Sequence, residues 1–417
     1  MRGVGRTFIS VSVSFACALL LGLPAAASIR ATPLPAPEPV WVHIVPMQGE
    51  LRSVATDGAG DAYATGRAYR STAGGFAFLK KYAPDGTLIW SRLWRPGVEG
   101  WWGANTEGVD VAIGPDGSAY VAARRFPKFG EGAAGYILKY SPDGDLIWHV
   151  ATEGWEKGDA EELTAVAVGS DRLAVAGNAY QCCGGLYEDG WVRVYDLDGN
   201  LLWKNMFEFP GLRRTNDFAA GVSVDAVGAV YAAGWFATGR ETTSSTTGEE
   251  PIVQKLSPSG DVEWTWTLSD GNPDDFDLAT SIDVRGDVLA VTGFLDETWT
   301  ISHCRPGHAW LGRFNLDGAL LWSATWGAGR YNTADPASVS VDSDGSLLVA
   351  GTQHEGSDGG SNAFVRKYDG DGILQWRIVL QVARYLYGAH VDADTSTFYV
   401  TGYRDWNARG WLWAFEG

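Results

Sequence analysis

The sequence predicts an all-β fold: a seven-bladed β-propeller of four-stranded blades whose last blade is closed by the N-terminal strand. Three observations predict it. A turn followed by Trp recurs in DGTLIW, DGDLIW, DGNLLW, SGDVEW, DGALLW and DGILQW, ending at Trp90, Trp148, Trp203, Trp264, Trp322 and Trp376. The spacings of these tryptophans, 58, 55, 61, 58 and 54 residues, are those of an array or a propeller. A seventh copy stops at WLWAFEG, where its turn would begin, and PVWVHIV at the other end, with Trp41 in the Trp slot, supplies the missing strand. Terminal halves that add up to one repeat close a ring, whereas a solenoid would carry caps.

In chain order, residues 1–27 read as a secretory signal peptide: Arg2 and Arg6, an apolar run from Phe8 to Leu23, then the small residues Ala25-Ala26-Ala27. The run is shorter than the roughly 20 residues of a spanning helix, so no membrane span is expected after cleavage. The predicted location is secreted, periplasmic or cell-surface. Residues 28–39, SIRATPLPAPEP, form a Pro-rich linker. The propeller takes 40–417.

Each repeat holds two hairpins. The first, such as GVDVAIGPDGSAYVAA and ASVSVDSDGSLLVAG, has period two and a short turn. The second, such as YILKYSPDGDLIW, carries a Pro-Asp-Gly turn that suits a type I turn closed by a left-handed Gly. In the first strands Val54, Val111, Val166, Val222, Ile282 and Val339 fall on one face, and Ala55, Ala112, Ala167, Ser223 and Ser340 on the other. Large on one face and small on the other lets neighbouring blades interdigitate. Asp283 and His390 break the small rule and are expected to be locally hydrogen-bonded core polars. The Gly ending the second strand (Gly66, Gly177, Gly234, Gly293, Gly351, Gly402) fits a bulge or a close approach of backbone. The strand-four tryptophans read as wedges between blades.

Charge narrows the partners. The formal net charge is −18, and loss of residues 1–27 removes two Arg and no acid, giving −20. Such a protein repels phosphate backbones and anionic membrane surfaces, which excludes nucleic acid as a partner. Cations, cationic polymers and neutral glycans stay open. Past residue 27 three cysteines remain, Cys182, Cys183 and Cys304. An odd count allows one intramolecular bridge, vicinal or long, with one thiol left over. No zinc-ligand spacing is present, and the Asp-x-Asp-Gly stretches at Asp342 and Asp369 lack the later carboxylate of a calcium loop, so they read as turns. No metal and no cofactor are expected.

At SVDSDGSLLVAG followed by FVRKYDGDGILQW the chain resembles the bacterial SBBP-type β-propeller repeat family. The resemblance covers about nine tenths of the chain past the signal, implies the propeller fold and an exported or surface protein, and carries no common activity. The Gly-x-x-x-Trp element is also similar to the repeat of quinoprotein (PQQ) propellers, but the Ala-x-Asp and Thr-Gly parts of that motif are missing.

Both hairpin turns of a blade lie on one rim, so the long connections share the other, and function is expected on that loop rim. Aromatic side chains that could stack on sugars and carboxylates meet there: Trp101, Trp102, Trp155, Trp235, Asp274, Asp277, Tyr331 and Trp406. A carboxylate pair for glycosidic chemistry could come from Asp159, Glu161, Asp274 or Asp277, but nothing selects one. No nucleophile elbow, His-Glu-x-x-His or phosphate loop is present. The expected function is a monomeric binding or surface-interaction module, more a binder than an enzyme, taking a glycan or protein on the loop rim. The alternative is a propeller hydrolase or lyase acting on polysaccharide, and behind it a quinoprotein-like oxidoreductase. A basic residue beside a carboxylate in the mouth would favour the enzyme.

Overall fold

The computed structural model describes residues 35–44, 49–70, 74–97, 105–126, 134–152, 160–180, 188–207, 216–237, 248–268, 276–300, 303–305, 308–327, 332–355, 361–380, 386–393, 397–404 and 409–416. Residues 1–27, expected to be a signal peptide, lie outside them. The strands make seven antiparallel units of four. Blade one is β2 (Gly49–Thr56), β3 (Ala62–Arg70), β4 (Gly74–Tyr82) and β5 (Leu88–Trp94). Blade two is β6 (Asn105–Ile113), β7 (Ala119–Phe126), β8 (Ala134–Tyr140) and β9 (Leu146–Ala151). Blade three is β10 (Ala160–Val168), β11 (Arg172–Tyr180), β12 (Glu188–Asp196) and β13 (Leu201–Phe207). Blade four is β14 (Asp217–Val224), β15 (Val230–Ala237), β16 (Glu249–Leu256) and β17 (Val262–Thr267). Blade five is β18 (Phe276–Arg285), β19 (Val288–Thr300), β21 (His308–Phe314) and β22 (Leu320–Trp326), with β20 (His303–Arg305) paired to the end of β19. Blade six is β23 (Asn332–Val341), β24 (Leu347–Glu355), β25 (Ser361–Tyr368) and β26 (Leu374–Leu380). Blade seven is β27 (Leu386–Ala393), β28 (Thr397–Arg404) and β29 (Arg409–Glu416), and its outer strand is β1 (Pro39–Ile44). β1 runs antiparallel to β29, with Trp41 opposite Ala414 and Ile44 opposite Trp411, so the ring closes as the sequence predicts.

The repeated Gly-x-x-x-Trp has a single physical reason. The turn glycines Gly86, Gly144, Gly199, Gly260, Gly318 and Gly372 all have φ between 81° and 94°, the left-handed region that favours glycine. Each also faces the outer-strand Trp of the preceding blade. A Cβ on Gly144 would lie 2.8 Å from the Trp90 ring, and one on Gly372 2.8 Å from Trp322. Four of these indoles donate to the same turns, Trp90 Nε1 to Pro142 O at 2.9 Å, Trp203 to Pro258 O at 3.1 Å, Trp264 to Leu316 O at 3.1 Å and Trp322 to Gly370 O at 2.9 Å, while Trp148 Nε1 has no partner among the described residues. Trp41 repeats the bond to Pro84 O at 2.8 Å, across the seam. The tryptophans are inter-blade wedges.

The inner strands of blades one to six carry a bulge at the same place, between Leu51 and Ser53, Gly108 and Asp110, Leu163 and Ala165, Ala219 and Gly221, Ala279 and Ser281, and Pro336 and Ser338. The bulge turns a carbonyl toward the second strand. A Cβ on Gly66 would lie 1.9 Å from Glu50 O, and one on Gly234 or Gly293 1.8 Å from Phe218 O or Leu278 O. That is why glycine ends the second strand.

The large inner-strand residues are buried as expected, Val54 at 0 % and Ile282 at 6 % exposure among them. Polar side chains on the same strands link blades. Ser53 Oγ donates to Asp110 Oδ1 at 2.6 Å, and Asp110 Oδ2 accepts from Val166 N at 2.8 Å. Ser223 Oγ donates to Asp283 Oδ1 at 3.3 Å, and Asp283 Oδ2 accepts from Val341 N at 2.8 Å. Asp283 is thus a hydrogen-bonded core polar. The His390 side chain lies outside the described ones.

The strands run further toward the loop rim than the sequence predicts. Trp235, expected in a connection, pairs with Phe218 inside β15, and Phe294, expected to open a loop, sits mid-way in β19. Backbone pairing continues past the last core side chain, because the ladder needs no apolar residue to extend. Asp342 and Asp369 serve turns: Asp369 Oδ1 accepts from Asp371 N at 3.0 Å and Ile373 N at 2.9 Å.

Candidate functional site

The inner strands surround a central cavity of ≈ 470 Å³, lined along blades one to six from Arg52 and Val54 to Ser340 and Val341. Most of its wall is Val, Ala, Ser and Thr, which brings no chemistry. Chemistry gathers at the loop-rim end, where inner strands begin and second strands end.

There β2, β6 and β10 each present a glutamate just before the bulge: Glu50, Glu107 and Glu162. Arginines alternate with them. Arg52 Nη2 donates to Glu50 Oε2 at 2.6 Å, and Arg52 Nε donates to Glu107 Oε1. Arg124 on β7 donates to Glu107 Oε2 at 3.2 Å and to Glu162 Oε2 at 3.0 Å. The result is a ladder across three blades: Glu50, Arg52, Glu107, Arg124, Glu162. Its centre, Glu107, is buried to 1 %, while Arg52, Arg124 and Glu162 keep 26–28 % of their side chains exposed. The fixed guanidiniums thus offer donors, and the outer carboxylates acceptors, to whatever covers the mouth.

Tyr69 on β3 joins the ladder by donating its hydroxyl to Glu50 Oε1 at 3.2 Å. Burial pushes the Tyr69 phenol above its usual 10; Arg67 pulls it back and Glu50 raises it further. Arg67 lies with its guanidinium carbon 4.5 Å from the Tyr69 ring centre and 4.6 Å from that of Phe126. Arg124 lies over the same Phe126 ring at 4.9 Å.

Of the residues singled out in the sequence, Trp101, Trp102, Trp155, Asp274, Tyr331, Trp406, Cys182 and Cys183 lie outside the described residues. Cys304 belongs to β20, where only the backbone is described. Trp235 is half-buried and stacks on Phe218, ring centres 4.1 Å apart and planes within 13°, so one face of the indole is already covered. Asp277 is buried at 4 % exposure. Glu161 is committed inside blade three, where Arg193 Nη1 donates to it at 3.0 Å. Among the described residues no three His, Cys, Asp or Glu are grouped to hold a metal ion.

Sequence reasoning missed the ladder. Its members lie on three different blades, one repeat apart, and each strand that carries one holds a second charge that blurs the pattern. A signal was present: an acid directly before the bulge in three successive inner strands, Glu50, Glu107 and Glu162.

No protein-family model matches the chain, and no curated protein matches it. Solved structures are similar in shape. An α-L-arabinanase of Penicillium chrysogenum complexed with arabinobiose is 13 % identical at a TM-score of 0.49, over 90 % of this chain and 94 % of that one. The extracellular domains 1–2 of Drosophila Semaphorin 1b are 9 % identical at 0.44, over 91 % and 87 %. A neuraminidase-like protein of subtype N10 from a little yellow-shouldered bat influenza A virus is 9 % identical at 0.37, over 89 % and 96 %. Likeness at this level says nothing about the chemistry of this chain.

Proposed function

We propose that the protein is an exported, non-enzymatic binding module that takes a glycan on the loop rim, over the inner-strand ends of blades one to three. One observation carries this reading: the ladder of Glu50, Arg52, Glu107, Arg124 and Glu162, part-exposed at the end of a concave cavity. Sugar hydroxyls both donate and accept, and a ladder that alternates fixed donors and acceptors suits them. Because the ladder's charges are held by one another, they do not have to be ordered when a ligand arrives. The stacked Phe218–Trp235 pair on blade four offers an aromatic ring of the kind sugars pack on. Catalysis is less well served. A general acid is a carboxyl kept from positive charge, and Glu50, Glu107 and Glu162 each sit against a guanidinium.

A second reading has its own observation. Tyr69 beside Glu50, with Arg52 and Arg67 close by, is a basic group beside a carboxylate in the mouth, which favours a polysaccharide hydrolase or lyase. A glycan array probed with the purified chain and with Glu162→Gln tests both. Capture of glycans by the wild type, weakened about fivefold or more in the variant, supports the module. Release of shortened or unsaturated sugars would replace it with the enzyme. Binding unchanged in the variant would move the site off the ladder.

A further inference from the structure

Of the guanidiniums around the ladder, Arg52 and Arg124 have carboxylate partners, and Arg67 has none among the described residues. Its placement is nonetheless fixed. The side chain lies across Gly75 of the neighbouring strand, where a Cβ would come within 2.5 Å of Nε and 3.3 Å of Cγ and Cζ. The Tyr69 and Phe126 rings hold the guanidinium at 4.5 and 4.6 Å. Its Nε is buried with no hydrogen-bond partner. A planar, weakly hydrated cation held by rings and a missing Cβ is ordered before anything binds, and its terminal nitrogens form a fork matched to a planar oxyanion.

We infer that Arg67 is the seat for a single carboxylate borne by the bound glycan, so that the ligand ends in an acid sugar of the uronic type; this rests on the loop-rim glycan reading above. Charge sets the number at one. Glu50 is the strand partner of Arg67, Glu107 and Glu162 follow it along the ladder, and the chain as a whole carries −18, so a polyanion is repelled along its length. A lone carboxylate paired directly with the guanidinium is nearer to that cation than to the ladder glutamates, each of which already faces Arg52 or Arg124. The rest of the ligand is neutral and meets the ladder through its hydroxyls. A terminal sulfate shares the oxyanion chemistry but is tetrahedral and fits the planar fork less well.

The test is calorimetry on the full chain with oligosaccharides ending in glucuronate or galacturonate. The same sugars with the carboxyl reduced to an alcohol, sulfate-terminated counterparts, and poly-glutamate complete the arms. The acid-terminated sugars are expected to bind at least about tenfold more tightly than the reduced ones, the scale of a charge-assisted hydrogen-bond pair. Arg67→Met should abolish that difference, Arg67→Lys should keep part of it, and Gly75→Ala, which intrudes on Nε, should lower it, with melting curves confirming that each variant folds. Equal binding of acid and reduced sugars, or an undiminished preference in Arg67→Met, overturns the seat and leaves loop-rim glycan binding standing. A stronger preference for sulfate, or equal capture of poly-glutamate, overturns the uronic assignment. Absence of binding in every arm overturns the seat and the glycan reading together.

Discussion

The indole N–H of Trp41 donates to the carbonyl of Pro84 at 2.8 Å, the bond by which Trp90 holds Pro142 one blade further on. The first described strand therefore behaves as the outer strand of the last blade. Trp41 also packs against Tyr399 of blade seven and Tyr82 of blade one, ring centres 5.8 and 6.3 Å apart. Trp41→Phe, which removes the N–H and part of the packed ring, should cost about 1–2 kcal/mol. Trp41→Ala should cost about 2–3 kcal/mol, less than a fully buried Trp because the residue is part-exposed. Denaturant unfolding of the two variants checks both numbers.

Gly60 and Gly86 separate two costs of a turn glycine. Both are left-handed, at φ 83° and 86°. A Cβ on Gly60 meets only Pro84 Cγ at 3.6 Å, whereas one on Gly86 meets the Trp41 ring at 3.0 Å and His43 Nε2 at 3.1 Å. Gly60→Ala should cost about 1–2 kcal/mol from backbone alone. Gly86→Ala should cost about 1–3 kcal/mol more, because the wedge has to move. Equal melting-temperature losses would show that the Trp gives way freely.

Glu161 and Arg193 form an ion pair with side chains 1 % and 3 % exposed, and Arg193 also lies 4.2 Å over the Trp191 ring. Glu161→Ala leaves a buried cation without its partner and should cost about 3–5 kcal/mol. The double variant Glu161→Leu, Arg193→Met should recover most of that loss. A double-mutant cycle by thermal unfolding gives the coupling directly.

Lys80 holds in blade one the position of Arg193 in blade three, and Gly49 stands where Glu161 would be. It is buried at 8 % exposure with no carboxylate partner among the described residues, and burial lowers its pKa below the ordinary 10.5. A lysine with a lowered folded-state pKa binds fewer protons folded than unfolded, so its penalty is full below the folded pKa and lifts as pH rises toward 10.5. Lys80→Met should therefore raise the melting temperature at pH 7, and its advantage should shrink between pH 7 and pH 10. A pH series of melting curves reads the trend.

Most of the ring was legible because repetition separates rule from accident. One Trp proves little, but a Trp behind a turn Gly in six copies marks a shared packing contact, and the Gly144–Trp90 approach is that contact. Two things were not legible. Strand extensions that begin at Trp235 and Phe294 look like loop sequence, because ladder hydrogen bonds come from backbone that every residue carries. The polar ladder stayed hidden because Arg52, Glu107 and Arg124 meet only when strands of different blades are laid side by side. The inner-strand glutamates form a visible series only once the bulges are aligned.

The pairing of β1 with β29 has a consequence in time. Trp41 emerges from the ribosome several hundred residues before its strand partner Ala414. Contacts of that separation close slowly, since nearly the whole chain has to be organised before they form. Until then β1 and β29 each wait with an unpaired edge, the kind of surface on which other chains add strands. The pairing that closes the ring thus also hides the molecule from its neighbours, and a chain without β1 would leave β29 with one sticky edge.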